Sequence, residues 1–329
     1  MITPLTSAGI ILSYKCNSKC RHCLYSCSSQ WSDWMELDLV KAILDGTLAS
    51  ARHIDGFHLA GGEAFLNFPL LVGAVKLATE RRIPLDYVET NGGWFVDEAS
   101  AIEKLRELRS SGLNCLLVSA SPFHAEHIAV EKTLGAIRAS IEVFGSHGTM
   151  VWLPEFLREL TSITERGKIR FEDYSEAVGE RRTREAAAYG GQLIPGGRSS
   201  FTISNYLPQR PISAYFGGNC EYELLRSGRG HFDPYGNIIT GVCSGISVGD
   251  SHDLVAAYRD FRLSDHRVLE LLCTNGVQGL YEMAVAEHSF TARESYAGKC
   301  DVCMDIRRHM VINGAQYEEL RPQEFYLYA

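Results

Sequence analysis

Short apolar runs alternate with stretches whose apolar residues recur every three or four positions, from the start of the chain to about residue 205. The runs at 9–14, 56–60, 85–90, 115–120, 149–153 and 191–195 have the length and composition of buried strands. Between them, Val130, Leu134, Ile137, Ile141 and Phe144 mark one face of a helix, and Ile102, Leu105 and Leu108 mark a shorter one. Strand and helix in alternation predict βα units around a parallel sheet, so the expected fold class is α/β. Six candidate strands predict a curved, barrel-like sheet in preference to a small open one.

Beyond residue 205 the rhythm changes. NYLPQRP reads as a connector, and the sequence predicts two domains, 1–210 and 211–329. In the second, HFDPYGNIITGVC reads as two short strands around a Pro-Tyr-Gly turn, with short helices at 253–258 and 265–272.

In parallel βα architectures, functional groups collect where strands end. Here a cysteine loop follows the first strand, Gly61-Gly62-Glu63 the second, Thr90-Asn91-Gly92 the third, and residues 119–124 the fourth. One mouth of one sheet is expected to receive all four.

Composition narrows the class. The chain has 329 residues, 45% hydrophobic and 22% charged, which suits a globular core plus a smaller domain. A net charge of −8 and no basic run longer than a pair such as Arg81-Arg82 argue against nucleic acid as a partner. MITPLTSAGIILSY lacks the features of a signal peptide and no stretch is apolar enough to span a bilayer, so no membrane partner and a cytoplasmic location are expected. Ten cysteines in that compartment point to metal or catalysis rather than disulfides.

Cys16, Cys20 and Cys23 in KCNSKCRHC bring three thiolates to one small loop, a donor set for soft metal or an iron–sulfur cluster. With Cys27 added, a four-cysteine zinc knob or a closed electron-transfer cluster has the same ligands. Gly-Gly-Glu alone is a turn followed by a capping acid. Taken in order, CxxxCxxC after strand one and Gly61-Gly62-Glu63 after strand two, this sequence resembles the radical S-adenosylmethionine superfamily.

The resemblance implies a partial (β/α)6 TIM-like barrel and a four-iron, four-sulfur cluster held by Cys16, Cys20 and Cys23. The fourth iron would be left to the amino and carboxylate groups of S-adenosylmethionine. It implies that His22 takes the aromatic position before the last cysteine and that Gly61, Gly62 and Glu63 hold the methionine ammonium. Asn91 would stand at the cofactor's rim and Ser119 at the ribose, with Ser121 where many relatives carry Asp. The cluster reduces the sulfonium, and a 5′-deoxyadenosyl radical then removes a hydrogen atom from substrate. Arg198, in IPGGRSS, is a candidate to grip a carboxylate of cofactor or substrate, and His124 a candidate cavity group.

Cys220, Cys243, Cys300 and Cys303 resemble the ligands of the superfamily's auxiliary-cluster domain, called twitch with one cluster and SPASM with two. No cysteine follows Cys303, so one auxiliary four-iron cluster is expected, giving two in all. Structural zinc has the same ligands. A fully ligated cluster would pass or accept an electron, with flavodoxin or ferredoxin as the outside reductant. Cys273 is a candidate hydrogen-atom donor, with a plain helix-end role as its alternative, and Cys115 reads as core.

Relatives with such a second domain commonly crosslink or epimerise ribosomally made peptides, and others oxidise or rearrange small molecules. The resemblance therefore implies a peptide substrate first, with a small molecule as the alternative. With fifteen residues ahead of Cys16, a separate leader-binding domain is not expected, which counts against the peptide.

Overall fold

The computed structural model describes residues 2–164 and 166–329. Its frame is a seven-stranded sheet in the order β5-β4-β3-β2-β1-β6-β7. The strands are β1 (Ser7–Ile11), β2 (Gly56–Ala60), β3 (Leu85–Thr90), β4 (Leu116–Ser119), β5 (Thr149–Trp152), β6 (Arg229–Phe232) and β7 (Ile238–Thr240). All neighbours are parallel except β6 and β7, which form the antiparallel hairpin the sequence predicts around Pro234-Tyr235-Gly236. The protein is α/β, with helices crossing between successive parallel strands.

Residues 191–195 are not a strand. Tyr189–Gly191 make a 3-10 turn and the chain then runs irregularly to Arg198. The sixth parallel strand is instead β6, which pairs with β1 at the opposite side of the sheet, Gly9 facing His231 and Ile10 facing Phe232. Strand-like composition at 191–195 was outweighed by Pro195, Gly196 and Gly197, which break a ladder.

The helices form for local reasons. Asn67 accepts from Leu70 N at 3.4 Å to start Phe68–Glu80, and Asp97 accepts from Ser100 N at 2.9 Å to start Glu98–Ser110. In Val130–Phe144 the buried stripe is Val130, Thr133, Ile137, Ser140 and Val143, while Ile141, expected inside, is 47% exposed. The stripe is rotated because small polar residues, including Ser140 bonded to Thr149 at 2.7 Å, can face the sheet.

One face of each strand packs on helices through Ile10, Leu59, Val88, Val118 and Phe232. The other carries a different row. The register sets Gly9 beside His58 and His231, and His58 beside Tyr87, with Glu89 two residues on. Strand alternation therefore gives the sheet an apolar outer face and a polar, aromatic inner one.

Candidate active site

Beyond Ile11 the chain folds into a loop closed by Cys16 N on Ser28 O at 2.9 Å and Ser28 N on Tyr14 O at 3.2 Å. Tyr14 and Trp31, ring centroids 4.8 Å apart, fill its base. Inside it, Ser18 N donates to Cys16 Sγ and Cys27 N to Cys23 Sγ, both at 3.3 Å. Cys16, Cys20 and Cys23 line one cavity of about 280 Å³ at the ends of the parallel strands, together with Gly61, Gly62, Asn91 and Ser119. Cys27 lines it as well. Burial pushes the Cys16 thiol up to about 12 and raises Cys20, whereas the hydrogen bond from Cys27 lowers Cys23.

Gly61 and Gly62 stand at the rim, yet what they make room for is the cysteine loop. A Cβ on Gly62 would lie 2.0 Å from Lys15 O and 2.8 Å from the Cys16 side chain, and Gly62 N donates to Ser13 O at 2.7 Å. Glu63 is not on the cavity wall. Its carboxylate is buried, accepting from Asn91 N at 2.8 Å, Thr90 Oγ1 at 2.9 and 3.0 Å and Phe65 N at 3.2 Å, and burial nonetheless pushes it up to about 7. It ties the second strand end to the third. Asn91 continues that tie: its Nδ2 donates to Asn17 Oδ1 at 2.8 Å and lies 3.6 Å from Cys16 Sγ.

His22 faces the cavity between Phe123 and Tyr189, with ring centroids 4.9 and 4.7 Å away, and burial holds it neutral. Ser119 is on the wall, whereas Ser121 is fully buried behind it, 2.7 Å from His124 Nδ1. Of the two serines only Ser119 lines this cavity. His124 also lines the cavity, pushed down to about 4 by burial.

Arg198 corrects an expectation. It grips no carboxylate, because it is buried under the cysteine loop with Nη1 on Cys20 O at 3.0 Å and Nη2 on Cys27 O at 2.9 Å, while its backbone N donates to Cys23 O at 3.1 Å. Gly197, at φ 55°, allows that approach: a Cβ there would lie 2.1 Å from Leu24 O. The guanidinium charge works against burial at all three thiols, yet burial still raises Cys20, the hydrogen bond to Cys23 and burial raise Cys27, and only Cys23 is lowered.

Cys220, Cys243, Cys300 and Cys303 line a second, smaller hollow of about 30 Å³. Cys300 sits in the first turn of Lys299–Ile312 and Cys303 one turn on. Arg307 lines the hollow beside them, donating through Nε to Cys303 Sγ at 3.3 Å. Burial and the other thiols push Cys220 up to about 12, Cys300 up to about 11 and Cys243 higher than usual. Among the described residues no three His, Cys, Asp or Glu side chains meet closely enough to hold a single metal ion.

Cys273 reaches neither hollow. It is buried in the apolar core on the helix Arg267–Thr274, so the hydrogen-donor role expected of it has no access, and the helix-end alternative describes it. Cys115 precedes β4 and also lines neither.

Sequence reading missed Tyr25, Glu89, Trp152 and Tyr189, which complete the cavity wall. For Glu89 the signal was available: a carboxylate in step with Tyr87, on the strand face opposite the buried Val88, marks an inward polar row.

No protein-family model matches the chain. It is 25% identical over 124 residues to the putative peptide biosynthesis protein YydG of Bacillus subtilis (strain 168), a match covering 37% of this chain and only 38% of that relative. Among solved structures it is similar to BtrN in complex with AdoMet and 2-DOIA, at 14% identity and TM-score 0.47, covering 84% of this chain and 91% of that one. It is also similar to anSMEcpe with bound AdoMet (13%, TM-score 0.45, 93% and 97%) and to Streptococcus suis SuiB bound to its precursor peptide SuiA (12%, TM-score 0.32, 97% and 75%). In its own residues the chain brings a CxxxCxxC loop, a Gly-Gly rim and the ends of a parallel βα sheet to one cavity.

Proposed function

We propose that this protein is a radical S-adenosylmethionine enzyme that modifies a ribosomally made peptide, by crosslinking or epimerisation. The observation carrying the enzyme reading is the convergence of Cys16, Cys20 and Cys23 with Gly61, Gly62, Asn91 and Ser119 on one cavity at the strand ends. The donor set fits a cluster: three thiols share a wall, with Arg198 behind the loop to offset their charge. Cluster and S-adenosylmethionine, when bound, would supply a 5′-deoxyadenosyl radical that takes a hydrogen atom from substrate.

The chain's own part is to hold and to exclude. Glu63 and Asn91 fix the cysteine loop to two strand ends, Arg198 fixes it from below, and His22, Tyr189 and Trp152 wall the cavity against water. In this reading residues 211–329 carry an auxiliary cluster. Four thiols around one hollow are a donor set for such a cluster, and structural zinc has the same ligands. The peptide substrate is favoured by the likeness to a peptide biosynthesis protein.

Reduced, iron-reconstituted protein should release 5′-deoxyadenosine from S-adenosylmethionine. A colourless, zinc-loaded protein that releases none overturns the reading. Deuterium passing into 5′-deoxyadenosine from a labelled precursor peptide tests the substrate class.

A further inference from the structure

Among the described residues, one half-buried acid on the cavity wall has no partner, in contrast to the fully buried ones. Among the described residues, Glu63 accepts from Thr90 and Asn91, Asp233 from Tyr14 and Asn237, Asp301 from Arg293 and Ala297, and Glu319 from Val268. Glu89, on the inner row of β3, accepts no hydrogen bond and makes no ion pair from those residues, and it lines the large cavity. No lysine or arginine lines that cavity, and its two histidines are held neutral by burial. Arg198 is turned to loop carbonyls. A half-buried carboxylate facing a cavity that offers it no donor or counter-charge is left for a ligand to satisfy.

The surrounding wall suits a particular ligand. Tyr25, Trp152 and Tyr189 line the same cavity, and aromatic faces attract organic cations. We infer that Glu89 and these rings form a subsite for a positively charged nitrogen, an ammonium or guanidinium group. Burial alone pushes the Glu89 carboxyl up to about 7, and a cation seated against it would pull it back down. The inference deepens the proposed reading, and the charged nitrogen belongs either to the substrate or to the cofactor.

The test uses iron-reconstituted protein, Glu89→Gln and Glu89→Asp, with iron content checked to be equal. Titration calorimetry with n-butylammonium and the neutral 1-butanol reads the substrate arm, and titration with S-adenosylmethionine reads the cofactor arm. A preference for n-butylammonium that Glu89→Gln loses by about tenfold or more, and Glu89→Asp largely keeps, supports the subsite and assigns it to substrate. An equal loss confined to S-adenosylmethionine supports it and assigns it to the cofactor. A smaller change than this in both arms overturns it. Release of 5′-deoxyadenosine is measured separately, so failure of the enzyme reading and failure of the subsite leave different records.

Discussion

Arg198 is where the cysteine loop is most exposed to a single substitution. Its guanidinium donates to Cys20 O and Cys27 O at 3.0 and 2.9 Å, from a side chain whose residue is 3% exposed. Arg198→Met keeps much of the stem but leaves the Cys27 carbonyl without a donor and the Cys20 carbonyl with only its bond from Cys23 N. Hydrogen bonds from a charged donor contribute about 1.5–3 kcal/mol each, and part of that is returned because the charge no longer has to be buried. The expected loss is about 3 kcal/mol, concentrated in the loop. Urea unfolding of iron-free protein reads the stability, and iron per chain after reconstitution reads the site. Iron should fall by about half, because the second cysteine hollow lies on other elements. Arg198→Lys, a point charge that reaches one carbonyl and not two, should lie between. Unfolding within about 0.5 kcal/mol of wild type, with iron unchanged, would refute the idea that this arginine positions the loop.

Three further outcomes follow from the same geometry. Cys16→Ala, Cys20→Ala and Cys23→Ala should each abolish 5′-deoxyadenosine release while Cys27→Ser retains it; loss in Cys27→Ser would mean that the fourth thiol closes the site. Cys243→Ala should impair product formation more than S-adenosylmethionine cleavage, and equal loss in both assays would make the second hollow a structural one. His58 is pushed down to about 4 by burial, so its stabilising effect is complete above the ordinary value near 6.5 and is lost as pH falls from there toward 4. Between pH 7.5 and 5.5 the stability difference between wild type and His58→Leu should shift against wild type by about 1.4 kcal/mol, and a difference that does not move with pH would refute the assignment.

Local chemistry was legible in the sequence and long-range pairing was not. β2 and β3 fall where the sequence puts them, because short runs with apolar residues at alternate positions, bounded by turns, have few other fates. The first strand ends at Ile11 and not at Tyr14, since Ser13 and Tyr14 serve the cysteine loop: Ser13 O takes Gly62 N, and Tyr14 packs on Trp31. The sixth parallel strand could not be found by proximity. It is separated from its partner β1 by more than half the chain, and nothing in its composition names that partner. The cysteines were found because their spacing is itself the chemistry, while Arg198 and Glu89 were misjudged or missed because a charge in sequence does not say which way it faces.

Those two residues together explain the electrostatic design of the cavity. A site with several thiols needs positive charge to hold them as thiolates, yet a cation on the cavity wall would repel a cationic ligand and compete for the sulfurs. At the first loop Arg198 is held on backbone carbonyls and off the cavity wall, whereas Arg307 lines the second hollow beside Cys303. Both also reach the C-terminal segment, Arg198 through Tyr328 O at 3.4 Å and Arg307 through the Tyr326 hydroxyl at 2.6 Å, so one short stretch of chain braces an arginine of each site. The wall of the first cavity carries Glu89 and no lysine or arginine. In the proposed subsite, a carboxylate on the wall with the nearest arginine held off it is the arrangement that favours a ligand bearing positive charge.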